Sequence, residues 1–148
     1  MPIPRKPVEA VLTSHPTYSE VFPCEPSTAE TGRRLVRGVL GIWHLDDLAD
    51  RAELIITELI ANASRHTPCS EIRLVVGRPS ATRVRVGIAD EEPSRLPALS
   101  HAGIEDESGR GLLLVDAVAD RWGCDLQSAG GRLRGKEVWA ELRAGGDE

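Results

Sequence analysis

Two pairs of predicted strands constrain the fold of this chain more than any other feature of its sequence. Apolar and polar residues alternate over residues 71–76 and 82–89, which a Gly-Arg-Pro-Ser turn sequence separates. A second pair, over residues 124–128 and 134–142, flanks the turn sequence Ala129-Gly130-Gly131. Consecutive strands joined by short turns pair as antiparallel hairpins. The sequence therefore predicts a sheet that is mostly antiparallel.

Three segments with apolar residues at helical spacing accompany these strands. The first runs to about residue 40, with Ser27 or Thr28 as its cap and Gly41 as its stop. The clearest covers residues 46–65, and the third, opened by glycines, covers residues 109–122. Residues 18–23 add an early strand. Together these elements predict an α+β fold with helices packed on the sheet.

Size and composition favour one globular domain. The chain has 148 residues, of which 41% are hydrophobic and 28% charged, and a chain of this length can hold a core without disulfides or metals. Four prolines predict a mobile arm over residues 1–17. The single domain is then expected over residues 18–143, with a mobile tail over residues 144–148.

Charge and hydropathy argue against several classes of function. Acidic residues number 23 against 18 scattered basic ones, a net charge of −5, which disfavours direct binding of nucleic acid. No apolar run approaches the roughly 18 residues that a membrane span needs. Three cysteines without a Cys-x-x-Cys pair, and no secretory signal pattern, predict reduced thiols in the cytoplasm.

The first candidate site lies on the predicted helix over residues 46–65. Glu58 and Asn62 are four residues apart and therefore point to one side of the helix, and His66 follows one turn later. An amide oxygen suits Mg²⁺, and a carboxylate can take a proton from an attacking hydroxyl. The alternative is that both are polar residues on a solvated helix face, since this spacing is common in helices.

Two further candidates follow along the chain. Asp90 ends a predicted strand, where its carboxylate would accept hydrogen bonds from an exocyclic amine; an ordinary turn aspartate is the alternative. Gly109-Arg110-Gly111-Leu112 opens a predicted helix, whose free N–H groups would face an anion. The alternative there is a glycine-containing loop before a buried helix.

One nucleotide-binding motif is excluded by its context. Residues 130–136 have the Gly-x-x-x-x-Gly-Lys spacing of a P-loop, but Glu137 stands where that motif needs serine or threonine. The segment also runs from a turn into a strand, whereas a P-loop continues into a helix.

Taken in order along the chain, the remaining motifs resemble those of the GHKL ATPases, the superfamily of gyrase and histidine kinases. Glu-Leu-Ile-Ala-Asn-Ala at 58–63, Gly-Arg-Gly-Leu at 109–112 and Gly-Lys-Glu-Val-Trp at 135–139 look most like the anti-sigma factor serine/threonine kinases of actinomycetes. Asp-Arg-Trp-Gly at 120–123 does so too. The resemblance covers about residues 27–142.

This resemblance implies a two-layer Bergerat-type fold, in which helices lie on one face of a mixed, mostly antiparallel sheet and hold ATP with Mg²⁺. By matching position, Glu58 is the general base, Asn62 the Mg²⁺ ligand and Asp90 the adenine reader. Residues 91–108 are implied to form a lid. The implied nucleotide site is completed by His66, Gly109, Arg110, Gly111 and Leu112.

The resemblance also implies an anti-sigma factor that phosphorylates a serine or threonine of an anti-anti-sigma protein, sequesters a sigma factor and forms a homodimer. The family's adenine loop usually reads Asp-x-Gly-x-Gly, whereas this chain has Asp-Glu-Glu-Pro-Ser over residues 90–94. That departure keeps open a second hypothesis, a protein-binding module of the same fold with weak or no use of nucleotide. A detached histidine-kinase catalytic domain is a third and less favoured hypothesis.

Overall fold

The computed structural model describes residues 16–66, 71–91 and 107–145. Five strands form one sheet in the order β1-β2-β3-β5-β4, and every neighbouring pair is antiparallel. The strands are β1 Thr17–Pro23, β2 Glu71–Ser80, β3 Arg83–Asp90, β4 Arg121–Ala129 and β5 Arg132–Arg143. The predicted α+β fold with an antiparallel sheet is confirmed. No parallel pair occurs among these five strands, so the mixed pairing implied by the resemblance is absent from the described part of the chain.

Three α-helices complete the described structure. They are α1 Thr28–Ile42, α2 Ala49–His66 and α3 Glu107–Val118, and one 3₁₀ turn, Asp46–Leu48, precedes α2. Helix α2 packs against both other helices and against β3. It therefore occupies the centre of the helical layer.

The sheet has a buried face and a more open face. Alternate residues of β2 and β3 are buried, among them Leu74, Val76, Val86 and Ile88, while Arg73 between two of them is exposed. We call the buried side the inner face. It meets the apolar stripe of α2 in one core, as expected for an antiparallel sheet with one solvated face.

Helix α2 supplies the largest helical share of that core. Its innermost residues are at most 2% exposed, namely Ala52, Ile55, Ile56, Leu59 and Ile60. Burying each isoleucine or leucine side chain contributes roughly 1.5–3 kcal/mol. The period of 3.6 residues in this stripe explains why the sequence locates α2 so clearly.

Helix α1 ends differently from the prediction. Ser27 makes no side-chain capping bond, and Gly41 lies inside the helix instead of ending it. The N–H groups of His44 and Leu45 donate to the carbonyls of Gly41 and Leu40, which is the Schellman pattern. The left-handed residue of this motif is His44, with φ of 60°.

The turn between β2 and β3 is also displaced from the predicted one. It falls at Ala81 and Thr82, because β2 continues through the Gly-Arg-Pro-Ser sequence to Ser80. The Arg78 N–H donates to the carbonyl of Pro16, which extends the pairing of this segment with the chain before β1. An irregularity between Gly77 and Ser80 accommodates Pro79 within the strand.

Helix α3 is shorter at its end than predicted. It stops at Val118, and Trp122 belongs to β4. The Ala119 N–H still donates to the Val115 carbonyl, but the Asp120 N–H donates to Glu141 of β5. The chain has therefore turned from helix to sheet by residue 120.

The expected arm and tail lie mostly outside the described residues, which exclude 1–15 and 146–148. Within the described residues, Thr17 belongs to β1 and the Ala144 N–H donates to the Thr82 carbonyl, so both are held by the sheet. The described helices include none that is long and apolar enough to cross a membrane.

Candidate functional site

Glu58 and Asn62 lie on one side of α2, at the margin of its buried stripe. Both are half-buried, and Ile55 and Leu59 beside them are buried in the core. Their position at this margin places a carboxylate and an amide where the core meets a more accessible region. This is the arrangement that the spacing of four residues predicted.

The end of α2 lies near the end of β3 that carries Asp90. The register of the sheet pairs Arg73 with Ala89, so the first residues of β2 lie beside the last residues of β3. Four residues connect His66, the last residue of α2, to Glu71 at the start of β2. A connection of that length spans at most about 18 Å.

Packing in the core also indicates that the end of α2 lies near the end of β3. The side chains of Ile60 and Leu74 come within 2.9 and 3.1 Å of the point where a Cβ on Gly32 would lie, so the three residues meet. Leu74 pairs with Ile88 of β3, two residues before Asp90. The last turns of α2 therefore lie close to the final residues of β3, and their candidate residues belong to one region.

The side-chain oxygen of Asn62 is a buried acceptor. Its Oδ1 atom is shielded from solvent and finds no hydrogen-bond partner among the described residues. A buried polar atom without a partner costs roughly 1–3 kcal/mol, and such atoms call for a specific explanation. A metal ion or a ligand donor at this oxygen would satisfy it, so Asn62 fits the group that the resemblance implies.

Asp90 is held by a lysine that the sequence analysis did not include in the site. The Nζ atom of Lys136 on β5 donates to Oδ1 of Asp90 at 2.9 Å, and the two side chains are 3% and 2% exposed. The register pairs these two residues directly. Since Lys136 alternates in phase with the buried Val138 and Ala140, the pattern of β5 contained a signal for an inward-facing lysine.

The glycines of the third motif lie within helix α3, not in a loop before it. The helix begins at Glu107, so Gly109 and Arg110 belong to its first turn. The first four N–H groups of a helix have no partner within it and favour an anion. Leu112 is buried, with 3% of its surface exposed.

Some predicted features of the site fall outside the described residues. The expected lid over residues 91–108 lies there except for Glu91, Glu107 and Ser108, and so does Cys69. Cys24 and Cys124 are free thiols. Among the described residues, no group of three or more His, Cys, Asp or Glu side chains is placed to hold a metal ion.

Cys124 lies close to the Asp90–Lys136 pair. It sits on β4 opposite Val138, which is two residues from Lys136 on β5. Burial raises the pKa of its thiol, and the positive charge of Lys136 opposes part of that rise. The thiol thus reports on the electrostatics of the site.

Comparison with known proteins assigns the chain to a family. Residues 22–140 match the model of the histidine kinase-like ATPase domain, and the chain belongs to that family. An uncharacterised protein of Streptomyces coelicolor is 45% identical over 71 residues, which are 47% of this chain and 65% of that protein. The chain thus matches less than two thirds of this relative's length.

A solved structure shares the fold. It is a chain in the crystal structure of the SiaB–SiaC complex from Pseudomonas aeruginosa, with a TM-score of 0.65 and 11% identity. The match covers 93% of this chain and 96% of that one. The family and the fold together define a GHKL-type ATPase domain. The P-loop spacing at residues 130–136 does not form a P-loop, because Lys136 lies within β5 and this strand, not a helix, follows the turn.

Proposed function

We propose that this protein binds ATP with Mg²⁺ between the end of α2, the end of β3 and the start of α3, and transfers phosphate to a protein hydroxyl. The observation that carries the proposal is the buried Oδ1 of Asn62, which has no hydrogen-bond partner among the described residues and lies one helical turn from Glu58 in a histidine kinase-like ATPase domain. Magnesium sites of this kind use one or two protein groups together with the phosphates.

Each residue then has a distinct role. Asn62 ligates Mg²⁺ through Oδ1, and the N–H groups of the first turn of α3, including those of Gly109 and Arg110, face the phosphates. Glu58 accepts the proton of the serine or threonine hydroxyl that is phosphorylated. Bound ATP would supply the γ-phosphoryl group, whose bond to the β-phosphate oxygen breaks as ADP leaves, and Mg²⁺ would neutralise part of the charge.

The proposed partners are proteins of a sigma-factor regulatory system. In this proposal the acceptor is a serine or threonine of an anti-anti-sigma protein, and the same domain sequesters a sigma factor, with a homodimer as the acting form. The motifs at residues 58–63, 109–112 and 135–139 support this assignment. The structural neighbour comes from a complex of two proteins, which is consistent with a protein partner.

The proposal is tested by calorimetric titration with ATP, with and without Mg²⁺, followed by transfer of labelled γ-phosphate to a purified anti-anti-sigma protein. Glu58→Gln is expected to keep ATP binding and to lose transfer by about 10²–10⁴-fold. Asn62→Ala is expected to lose the Mg²⁺-dependent part of binding. Arg51→Gln, at an exposed position of the same helix, is the matched control and keeps both properties.

Transfer by Glu58→Gln at the rate of the unaltered protein would contradict the role of Glu58. Absence of ATP binding in the unaltered protein would contradict the whole proposal. Residues 91–93 favour a second candidate in that case, because two acids and a proline replace the usual glycine-containing loop. The domain would then be a module that binds its protein partner equally well without ATP.

A further inference from the structure

The fold alone does not require a buried lysine beside Asp90. A lysine is almost never fully buried unless it is paired, and here only 3% of the side chain of Lys136 is exposed. Replacing a buried ion pair by apolar residues is often neutral or stabilising. Stability is therefore a weak reason for a lysine at this position, and the reason is better sought in what the lysine does to Asp90.

The backbone of Asp90 is also held close to β5. A Cβ added to Gly135 would overlap the carbonyl oxygen of Asp90 and approach the Cα of Glu91 to 3.2 Å. Gly135 thus permits a contact that a larger residue would prevent. Lys136 fixes the side chain of Asp90, and Gly135 permits the close approach of its main chain, so consecutive residues of β5 position one carboxylate.

The ionisation of Asp90 decides which hydrogen bonds it makes. An ionised carboxylate only accepts hydrogen bonds, whereas a protonated one also donates. Adenine carries an amino donor at its 6-position, and guanine carries an oxygen acceptor there. An ionised Asp90 therefore accepts from a 6-amino purine and repels a 6-oxo purine.

We propose that Lys136 is a positioning residue that orients the carboxylate of Asp90 through their buried hydrogen bond, and thereby makes the site select 6-amino over 6-oxo purine nucleotides. This inference rests on the proposed function, because it concerns the base-recognition part of the same site. Besides this pair, the groups whose charges act on the neighbouring thiol of Cys124 are Asp125 of β4 and Glu137 of β5. Both are carboxylates, which accept hydrogen bonds and do not donate them when ionised, so neither could replace the ammonium of Lys136 as a donor to Asp90.

Competition binding of ATP and GTP, each with Mg²⁺, tests the inference. The unaltered protein is expected to prefer ATP. Lys136→Met removes the donor that orients the carboxylate of Asp90, so the ratio of ATP to GTP affinity falls by at least tenfold. Lys136→Arg keeps the positive charge and retains most of the preference.

Two further variants separate recognition from stability. Asn62→Ala is expected to weaken both nucleotides together and to leave the ratio unchanged. The double variant Asp90→Asn with Lys136→Met removes both charges and so avoids a buried unpaired carboxylate. Since asparagine presents both a donor and an acceptor, this variant should fold, bind nucleotide and show little preference. Circular dichroism establishes the folding of each variant.

The outcomes distinguish the two proposals. A protein that prefers ATP, together with a folded Lys136→Met variant of unchanged ratio, overturns the role of Lys136 and leaves the proposed function standing. Should Lys136→Met fail to fold, the double variant decides, and a retained preference for ATP in it overturns the inference. A protein that binds neither nucleotide overturns both proposals.

Discussion

Among single residues, Cys124 provides a chemical probe of the Asp90–Lys136 pair. Burial raises the pKa of its thiol, and Lys136 lowers it in part. The thiolate is the reactive form, so at pH 8 Cys124 should be alkylated more slowly than an unburied thiol. Lys136→Met removes the opposing charge and should slow the reaction further. Mass spectrometry of the alkylated peptides measures the rate.

Lys136→Arg serves as the control for this experiment, because it keeps the charge and should leave the rate of Cys124 alkylation close to that of the unaltered protein. An increase in the rate on Lys136→Met, in a variant that circular dichroism shows to be folded, would contradict the electrostatic role given to the lysine.

Gly135 offers a second test at one position. Because its added Cβ would overlap a backbone oxygen, which cannot rotate away as a side chain can, Gly135→Ala should lower the free energy of unfolding by about 1–3 kcal/mol. Gly38→Ala is the matched control: it lies in α1 with nothing within 4 Å of the added Cβ, and it should stabilise by about 0.5–1 kcal/mol. Urea unfolding measures both, and equal effects would contradict the expected clash.

At the scale of helices and strands, the end of α1 can be tested at His44, whose φ of 60° is unusual for a residue other than glycine. Glycine adopts this left-handed conformation without the steric cost that other residues bear. His44→Gly should therefore raise the free energy of unfolding by about 0.5–1 kcal/mol, while His44→Val, with a β-branched side chain, should lower it. Thermal unfolding of the three proteins gives the order, and a less stable His44→Gly would show that the imidazole contributes more than the backbone conformation.

How much the sequence predicts differs among the elements. The long apolar stripe of α2 is specific, because eighteen residues repeat one helical pattern. The sequence predicts the turn between β2 and β3 at 77–80 because glycine and proline are typical turn residues, yet here they lie in a strand, at an irregularity in its pairing with β3. Trp122 fits both a helical stripe and a strand, and only the hydrogen bond from Asp120 to β5 decides between them.

The candidate site likewise contains one pair of residues that the sequence predicts and one pair that it does not. The spacing of Glu58 and Asn62 is local, so helical geometry alone places them together. Asp90 and Lys136 are 46 residues apart, and their contact depends on β5 lying beside β3. The sequence does not show which strands lie side by side in the sheet. The alternation of β5 indicates that Lys136 faces inward, but it does not indicate that Asp90 is its partner.

For the chain as a whole, binding of ATP with Mg²⁺ should raise the unfolding temperature. A ligand at 100 times its dissociation constant stabilises by about 2.7 kcal/mol, which for a domain of this size corresponds to a shift of roughly 5–10 °C. Asn62→Ala and addition of EDTA should each remove most of the shift in differential scanning fluorimetry. A full shift in the presence of EDTA would show that binding does not depend on the metal.

The strand order β1-β2-β3-β5-β4 has a consequence for folding. The hairpins β2–β3 and β4–β5 each close through a short turn, which is fast, whereas pairing β3 with β5 must close a much longer loop and bear its entropy cost. Asp90 and Lys136 sit on opposite sides of that last junction. A chain still emerging from the ribosome would therefore lack the hydrogen bond between Lys136 and Asp90 until β5 had been synthesised and had docked beside β3.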